Sequence, residues 1–313
     1  MPVTAQTAGM RGRAAIGAEG GAGRTQAGCF VARMHRGFRH GLPAVSGSSS
    51  VALQARLREA AARLGPFAGR VDHRPRVGST NDVAAELAGR GAPHGTVVVA
   101  DEQTAGRGRH GNRWSSPPGA GLYLSVLLRT DSPPVLTLAA GVAVAEALAR
   151  AAGLHALLEW PNDVVAEDAG HRRKVAGILA EASTVGDRVD RVVVGIGINL
   201  RDGAWPPEVA SRAGSVEGLT GRPVDRAALL VEVLAALAGW CGELERGRVA
   251  ALLRRWEALA PSSRGAAVEW SAGQVRRRGV TEGVDEQGAL IVRVDGCRER
   301  LSGGEVRHVG EGR

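Results

Sequence analysis

The stretch between residues 96 and 121 constrains the possible fold more than any other part of the sequence. Its apolar start, TVVVADE, predicts a strand, and a Gly-x-Gly-x-x-Gly triplet follows at Gly106, Gly108 and Gly111. In a Rossmann βαβ unit, such a triplet opens a helix whose N-terminus holds a pyrophosphate. Here the triplet is followed by NRWSSPPGAG, whose two prolines and two glycines prevent a helix. The sequence therefore argues against a dinucleotide-binding fold.

Two arginines, Arg107 and Arg109, lie between these glycines. Glycine lets backbone amides approach an anion, and arginine makes bidentate contacts with phosphate or carboxylate groups. The loop is therefore typical of a flexible clamp over an anionic ligand. A solvated basic turn is the simpler interpretation of an isolated Gly-Arg repeat, so the clamp depends on partners elsewhere in the chain.

Lysine is nearly absent from the sequence. Of the 40 lysine and arginine residues only Lys174 is a lysine, and the chain has four asparagines and a single tyrosine. These three residue types have A/T-rich codons, and the abundance of alanine, glycine and arginine indicates a GC-rich genome. A lysine retained against that trend predicts a task that arginine cannot perform. Chance survival of one residue is the alternative.

The basic charge is concentrated near the N-terminus. The chain has a net charge of +8 and an isoelectric point of about 10.8, and residues 1–50 contain six arginines and one glutamate. That segment carries +5, which leaves +3 for the other 263 residues. A basic tail on a nearly balanced body differs from the basic face that nucleic-acid binding requires.

Redox and targeting patterns predict a cytoplasmic protein. The three cysteines are widely separated and form no Cys-x-x-Cys motif, so neither a disulfide framework nor a zinc site is expected. The longest apolar stretch, residues 135–153, carries Glu146 and Arg150 at helical spacing and predicts a half-buried helix rather than a membrane span. The N-terminus has no continuous apolar segment, so no secretory signal is expected.

Hydrophobic periodicity and turn residues predict three regions. Residues 1–50 are rich in Gly, Ala and Arg without periodicity, and are expected to be a disordered tail. Residues 51–260 are expected to form the main domain, with strands at 71–77, 96–102, 122–129, 156–165, 174–182 and 191–200. The polar segment 166–173 predicts a hairpin tip. Residues 261–313 combine short strands with glycine turns and predict a small all-β domain.

Four short motifs follow one another between residues 70 and 310. They are STN at 79–81, EQTAGRGRHGNRW at 102–114, WPNDV with RKVAGILAE at 160–164 and 173–181, and GIGIN at 195–199. In this order they resemble the biotin protein ligases, enzymes that attach biotin to the carrier domains of carboxylases. All four asparagines, the lysine and the tyrosine lie within or beside these motifs.

The resemblance implies an α+β fold with a mixed central sheet flanked by helices, of the class II synthetase-like biotin/lipoate ligase type. It also implies a small C-terminal SH3-like β-barrel. The expected enzyme uses ATP, Mg²⁺ and biotin to make biotinyl-5'-AMP, and then transfers biotin to a lysine of a biotin carboxyl carrier domain of an acyl-CoA carboxylase. Neither DNA nor a membrane is an expected partner, no N-terminal DNA-binding domain is expected, and a homodimer is compatible with the resemblance.

The match of motifs also implies roles for individual residues. Lys174, Arg107 and Arg109 would be catalytic, because they would stabilise negative charge at the α-phosphate. The biotin-binding set would comprise Ser79, Thr80, Asn81, Gln103, Arg107, Gly108, Arg109 and Lys174. The nucleotide-binding set would be Arg109, Lys174 and Asn199, although Asn199 is equally typical of a turn. Asp163 would contact Mg²⁺. Alternatively, it would help to deprotonate the incoming amine, or it would only cap a turn.

One residue departs from the family pattern. The family usually has a lysine or arginine immediately before WPND, whereas this chain has Glu159, a reversal of charge. A lipoate or octanoate ligase or transferase of the same fold is the nearest alternative function. A basic nucleic-acid-binding protein is the alternative of another class, and a steep loss of affinity with salt would identify it.

Overall fold

The computed structural model describes residues 47–130, 133–203, 205–273 and 275–309, which all belong to one compact unit. The predicted disordered tail lies outside the described residues, except that residues 47–50 begin the first helix. The predicted division of the remainder at residue 260 stays a prediction.

The described residues form eight α-helices and twelve β-strands. The helices are α1 (Gly47–Glu59), α2 (Ala61–Leu64), α3 (Thr80–Gly89), α4 (Pro133–Ala152), α5 (Pro207–Ala210), α6 (Val216–Thr220), α7 (Arg226–Glu245) and α8 (Val249–Leu259). The strands are β1 (Val71–Val77), β2 (Val97–Gln103), β3 (Gly121–Leu128), β4 (Leu157–Glu159), β5 (Asp163–Asp168), β6 (His171–Val185), β7 (Arg188–Asn199), β8 (Arg264–Ala272), β9 (Val275–Val284), β10 (Leu290–Val294), β11 (Cys297–Leu301) and β12 (Val306–His308).

The central sheet has seven strands in the order β1-β2-β3-β7-β6-β5-β4. β1 and β2 run parallel, and the other neighbouring pairs are antiparallel. Alternate residues of β2 face opposite sides of the sheet, so Val97 and Val99 join the main core while Val98 packs under α3. Helices therefore cover both faces, and the predicted mixed sheet flanked by helices is confirmed.

α4 and α7 form the helical layer of the main core. Both are long and apolar enough to cross a membrane by length and composition alone. Their apolar residues instead pack against each other and against the sheet, as the complete burial of Ala143 in α4 and Leu234 in α7 shows. Burial of this surface against the sheet is the main source of hydrophobic stabilisation in the unit.

The strand predicted at residues 156–165 is two strands, β4 and β5, because residues 160–162 form a turn between them. Pro161 has no amide hydrogen to donate to a ladder, and the Asn162 side-chain amide donates to the carbonyl of Ile178 at 3.1 Å. The predicted hairpin tip is confirmed, since Ala169 and Gly170 both adopt positive φ where β5 turns into β6.

The second sheet has five antiparallel strands in the order β11-β10-β9-β8-β12. Its buried residues are Val268, Trp270, Leu290, Val292 and Val294. The predicted closure into a barrel is wrong for the described residues, because the edge strands β11 and β12 do not pair with each other. β12 has only three residues, and a strand this short does not continue the ladder that a closed barrel needs. The all-β C-terminal region is thus an open sheet.

Trp160 connects the two sheets. Its indole packs against the buried residues of both, and its N–H donates to the carbonyl of Gly288 at 3.0 Å. Because Trp160 directly precedes the Pro161–Asp163 segment, the second sheet contributes to the position of that segment.

Candidate active site

The first two motifs meet at one edge of the central sheet. β1 and β2 run parallel, so their carboxyl ends lie side by side. There β1 leads into α3, and β2 leads into the glycine-arginine loop, residues 104–120. Ser79, Thr80 and Asn81 begin this helix and are only 2%, 3% and 4% exposed. Ser79 holds the N-cap position without a side-chain hydrogen bond to the helix, so capping does not account for its burial.

A chain of hydrogen bonds joins these residues to the loop and to the sheet. Gln103 Oε1 accepts from the amide and the hydroxyl of Thr80 at 2.8 and 3.0 Å, and Gln103 Nε2 donates to Ser116 Oγ at 2.9 Å. The fully buried Ser125 of β3 lies 2.7 Å from Thr80 Oγ1 and 2.6 Å from Asn81 Oδ1. These bonds set the orientation of each polar group in the pocket wall before a ligand binds.

Asn81 continues this chain to Arg107. Its amide donates to Glu181 Oε2 of β6 at 2.6 Å, and Arg107 donates to the same oxygen at 2.8 Å. Arg107 also donates to Asp82, and this hydrogen bond raises the pKa of its guanidinium. Gly195 of β7 lies against Asn81, since a Cβ there would be 2.3 Å from Asn81 Oδ1. Any larger residue at this position would displace the asparagine.

Lys174 lies on β6, close to two paired glycines of the sheet. Its ammonium is 2.6 Å from Asp163 Oδ1 and 5.5 Å from the ring centroid of Trp114, and its side chain is 34% exposed. A Cβ at Gly177 would lie 3.0 Å from the Trp114 ring, and one at Gly197 would lie 2.4 Å from its Nε1. Gly177 and Gly197 are paired across β6 and β7, so together they form the floor on which the indole rests.

Arg109 approaches the same region from the loop. It donates to Asn162 Oδ1 at 3.3 Å and to the carbonyl of Gly304, in the turn between β11 and β12, at 3.5 Å. Burial lowers the pKa of its guanidinium, and the negative charge of Asp163 acts in the opposite direction. The structure therefore brings Lys174 and Arg109 together beside one carboxylate.

Arg107 does not join this pair. It stays with Asp82 and Glu181 at the α3 end of the site. Between the two arginines, the amide of Gly108 donates to the carbonyl of Asn112 at 2.7 Å, which closes the tip of the loop into a tight turn. The two loop cations therefore lie at different parts of the site.

Asn199, at the end of β7, is buried and supports Lys174. Its amide donates to the carbonyls of Lys174 and Gly214 at 3.4 and 3.1 Å. With these contacts, Asn199 supports the part of β6 that carries Lys174. A contact between Asn199 and a nucleotide stays a prediction.

The contacts of Asp163 do not make a resident metal site. Among the described residues there is no group of three or more His, Cys, Asp or Glu that could hold a metal ion. Asp163 is a single carboxylate already paired with the Lys174 ammonium. Mg²⁺ needs oxygen ligands in octahedral geometry and is usually held by one or two carboxylates together with substrate phosphates. Asp163 as a metal contact therefore stays a prediction that this donor set does not support.

Sequence reasoning missed several partners in the site. Asp82, Ser125 and Glu181 complete the hydrogen-bonded chain, and only Ser125 gave a usable sign, as a hydroxyl within the apolar strand LYLSVLLR. The glutamate that replaces the usual cation before WPND has an arginine partner. Glu159 of β4 accepts a hydrogen bond at 3.0 Å from Arg172 of β6, which lies on the far side of β5, so the reversed charge is paired.

Known proteins share this arrangement of elements. Residues 74–199 match the Biotin/lipoate A/B protein ligase family. The Biotin--[acetyl-CoA-carboxylase] ligase of Paracoccus denitrificans is 36% identical over 249 residues, which cover 74% of this chain and 97% of that protein. The chain belongs to this ligase family.

Members of the ligase family differ in length and in the activities for which they are named. The Bifunctional ligase/repressor BirA of Bacillus spizizenii is 42% identical over 164 residues, which are 50% of this chain and 49% of that protein, so the match spans about half of this relative. The structure of the Biotin protein ligase from Aquifex aeolicus in complex with biotin and ATP has a TM-score of 0.67 at 29% identity. It covers 77% of this chain and 100% of the Aquifex chain. The fold described above is therefore the ligase-family fold.

Proposed function

We propose that this chain is an ATP-dependent biotin protein ligase, which forms biotinyl-5'-AMP and transfers biotin to a lysine of a carrier domain. One observation carries the proposal: Lys174 and Arg109 meet beside Asp163, next to the buried polar wall of residues 79–81. The similarity to a ligase named for acetyl-CoA carboxylase and to a ligase with bound biotin and ATP supports it.

In the first step, a carboxylate oxygen of biotin attacks the α-phosphorus of ATP. A bond forms between this oxygen and phosphorus, the bond to the bridging oxygen breaks, and pyrophosphate leaves with the electron pair. Negative charge grows on the phosphate oxygens, and fixed cations stabilise it. The compact ammonium of Lys174 acts as a point charge between two anionic groups, which the wider guanidinium does not reproduce.

The hydrogen-bonded wall suits the other end of biotin. The ureido ring has donors and acceptors that need matched partners in a buried pocket. Thr80 and Asn81 are already oriented by Gln103 and Ser125, so they bind with little loss of side-chain freedom. The glycine-arginine loop then covers the acyl-phosphate anhydride and excludes water from it.

In the second step, the amine of the carrier lysine attacks the carbonyl carbon of biotinyl-5'-AMP. An amide bond forms, the bond from that carbon to the phosphate oxygen breaks, and AMP leaves. A lysine amine has an unperturbed pKa of about 10.4, so it must lose a proton before it attacks near neutral pH. Asp163 is the carboxylate that contacts the Lys174 ammonium, and we assign it to orienting the carrier amine and accepting its proton.

The proposed partner is the biotin carboxyl carrier domain of an acyl-CoA carboxylase in the cytoplasm. Mg²⁺ enters as the counter-ion of ATP, because Asp163 is already paired with Lys174. A homodimer without DNA binding is part of the same proposal. The roles of Ser79, Gly108 and Asn199 toward the ligands are also proposals, and co-crystals with biotinyl-5'-AMP would test them.

Biotin labelling of a carrier domain tests the proposed function directly. Purified protein is incubated with ATP, Mg²⁺, biotin and the carrier domain, and the product is detected with streptavidin. We expect Lys174→Arg to lower the rate by at least about 100-fold, because the wider guanidinium displaces a charge whose position contributes about that much to such transition states. Arg109→Ala should lower it similarly, whereas Arg113→Ala, which removes another arginine of the same loop, should stay close to wild type.

The outcomes separate the alternatives. Equal labelling by all of these proteins would reject the assigned roles while keeping the ligase activity. No labelling by the wild type, with transfer of lipoate or octanoate instead, would favour the neighbouring acyl ligases. Binding of nucleic acid that weakens steeply with salt and survives Lys174→Arg would favour the basic binding protein.

A further inference from the structure

Arg226 lies at the base of the glycine-arginine loop. The ladder between β2 and β3 ends at the pair Ala100 and Tyr123, beyond which the two strands diverge into the loop. Arg226 is the first residue of α7, and its guanidinium contacts both strands. It donates to the carbonyl of Ala100 at 2.7 Å and to the carbonyl of Gly121 at 3.2 Å. One side chain thus bonds to both strands that lead into and out of the loop.

A buried carboxylate holds the guanidinium in this position. Asp101 Oδ1 accepts a hydrogen bond from Arg226 at 2.7 Å and lies 2.9 Å from His73 Nε2 of β1. The side chains of His73 and Asp101 are only 7% and 9% exposed. Each of the three guanidinium nitrogens of Arg226 therefore has a partner, and the group has one defined orientation.

The location of this arginine is unfavourable for the helix itself. The helix dipole favours negative charge at an N-terminus, so a cation there opposes it. Asp225 already caps α7, because its carboxylate accepts from the amides of Ala227 and Ala228. Arg226 is therefore not needed to begin the helix, and its contacts with the strands explain its presence.

We infer that Arg226 is a positioning residue, which fixes the separation of the two loop ends and so the direction in which Arg107 and Arg109 leave the sheet. The effect on the loop follows from geometry, and the effect on catalysis rests on the proposed function. The returning arm of the loop is anchored as well, since the Tyr123 hydroxyl donates to the carbonyl of Pro117 at 3.1 Å. The tip is then the part of the loop that responds to ligands.

Only arginine can make this set of contacts. A guanidinium has donors on three nitrogens in one plane, which matches two carbonyls on adjacent strands and a carboxylate beside them. A lysine ammonium at the same position keeps the charge for Asp101 but cannot span both carbonyls. Arg226→Lys is therefore the variant that separates positioning from charge.

Hydrogen exchange of the loop amides in the ligand-free, full-length protein tests the inference. The amides of Gly108 and Trp114 donate to loop carbonyls and report on its order. In Arg226→Lys we expect both to exchange about tenfold faster or more, with the strands of the second sheet unchanged. Arg226→Ala combined with Asp101→Asn should give the same result without leaving a buried carboxylate unpaired.

The matched control is an arginine of α2 that pairs with the same helix, α7. Arg63 pairs with Glu232 of α7 at 2.7 Å, and among the described residues it makes no hydrogen bond to the loop. Arg63→Ala should leave the exchange of the loop amides at the wild-type rate. A general loss of stability would also speed hydrogen exchange in the second sheet, so it can be distinguished from a change confined to the loop.

Release of biotinyl-5'-AMP from the enzyme provides a second readout. Arg226→Lys should release it about tenfold faster, because a loop with an unfixed base covers the intermediate less of the time. Loop exchange equal to wild type in both Arg226 variants would overturn the inference. Absence of biotin transfer by the wild type would contradict the proposed function alone, because the exchange measurement uses no ligand.

Discussion

At the scale of the residue, glycines in the sheet decide where the side chains of the site can lie. Gly177 and Gly197 face the Trp114 indole, and Gly195 faces Asn81. In most strands an added methyl group packs against a neighbour and stabilises the sheet. Here it would enter space that a functional side chain already fills. Glycine is therefore the residue that fits against the Trp114 indole and the Asn81 side chain.

We expect Gly197→Ala to remove most of the ligase activity. Its Cβ would lie 2.4 Å from Trp114 Nε1, so the indole must move and the loop must move with it. Overpacking of this kind costs about 1–3 kcal/mol. The rate of biotin transfer and the thermal unfolding of the variant are the measurements.

Gly239→Ala is the matched control for this change. Gly239 lies on α7, and a Cβ there would have no heavy atom within 4 Å. Because alanine is favoured over glycine within a helix by roughly 1 kcal/mol, the control should be active and slightly more stable. A fully active Gly197→Ala would show that the indole does not position the loop.

At the scale of the element, the packing of α7 against the core buries its cysteine. Cys241 lies on the buried side of this helix, and burial raises the pKa of its thiol to about 12. Cys297, at the start of β11, is exposed. The reactive species is the thiolate, so the two cysteines should react at very different rates.

We expect iodoacetamide at pH 8 to label Cys297 and to leave Cys241 unmodified in the folded protein. A thiol with a pKa of about 12 is ionised to roughly one part in 10,000 at this pH. Peptide mass mapping before and after addition of denaturant measures both sites. Equal labelling of the two cysteines under native conditions would show that α7 is not held against the core.

The same scale shows what the sequence could predict. The strands of the central sheet followed largely from apolar runs, whereas the ligand-binding roles of residues 79–81 and Lys174 stay predictions. The two directions taken by Arg107 and Arg109 did not follow from the sequence, because each depends on a partner distant in sequence, Glu181 or Gly304. The open second sheet was also missed, since pairing of edge strands is not encoded in their alternation.

At the scale of the whole molecule, Trp160 packs against the cores of both sheets and couples them. We expect Trp160→Ala to lower the free energy of unfolding by about 2 kcal/mol, less than for a fully buried tryptophan. It should also separate the unfolding of the second sheet from that of the first, because the indole packs against both cores. Thermal unfolding followed by circular dichroism and by hydrogen exchange of β8–β10 measures this. A single transition with the wild-type midpoint would contradict the coupling.

The solitary lysine has a chemical consequence beyond the reaction. Since Lys174 provides the only side-chain amine of the chain and lies beside Asp163, acylating reagents have no other lysine to modify. Apart from the N-terminal amine, an N-hydroxysuccinimide ester then has one amine to modify, that of Lys174, which the proposed function assigns to the reaction centre. For the same reason, the proposed ligase would hold its reactive acyl donor without any lysine other than Lys174 that could consume it.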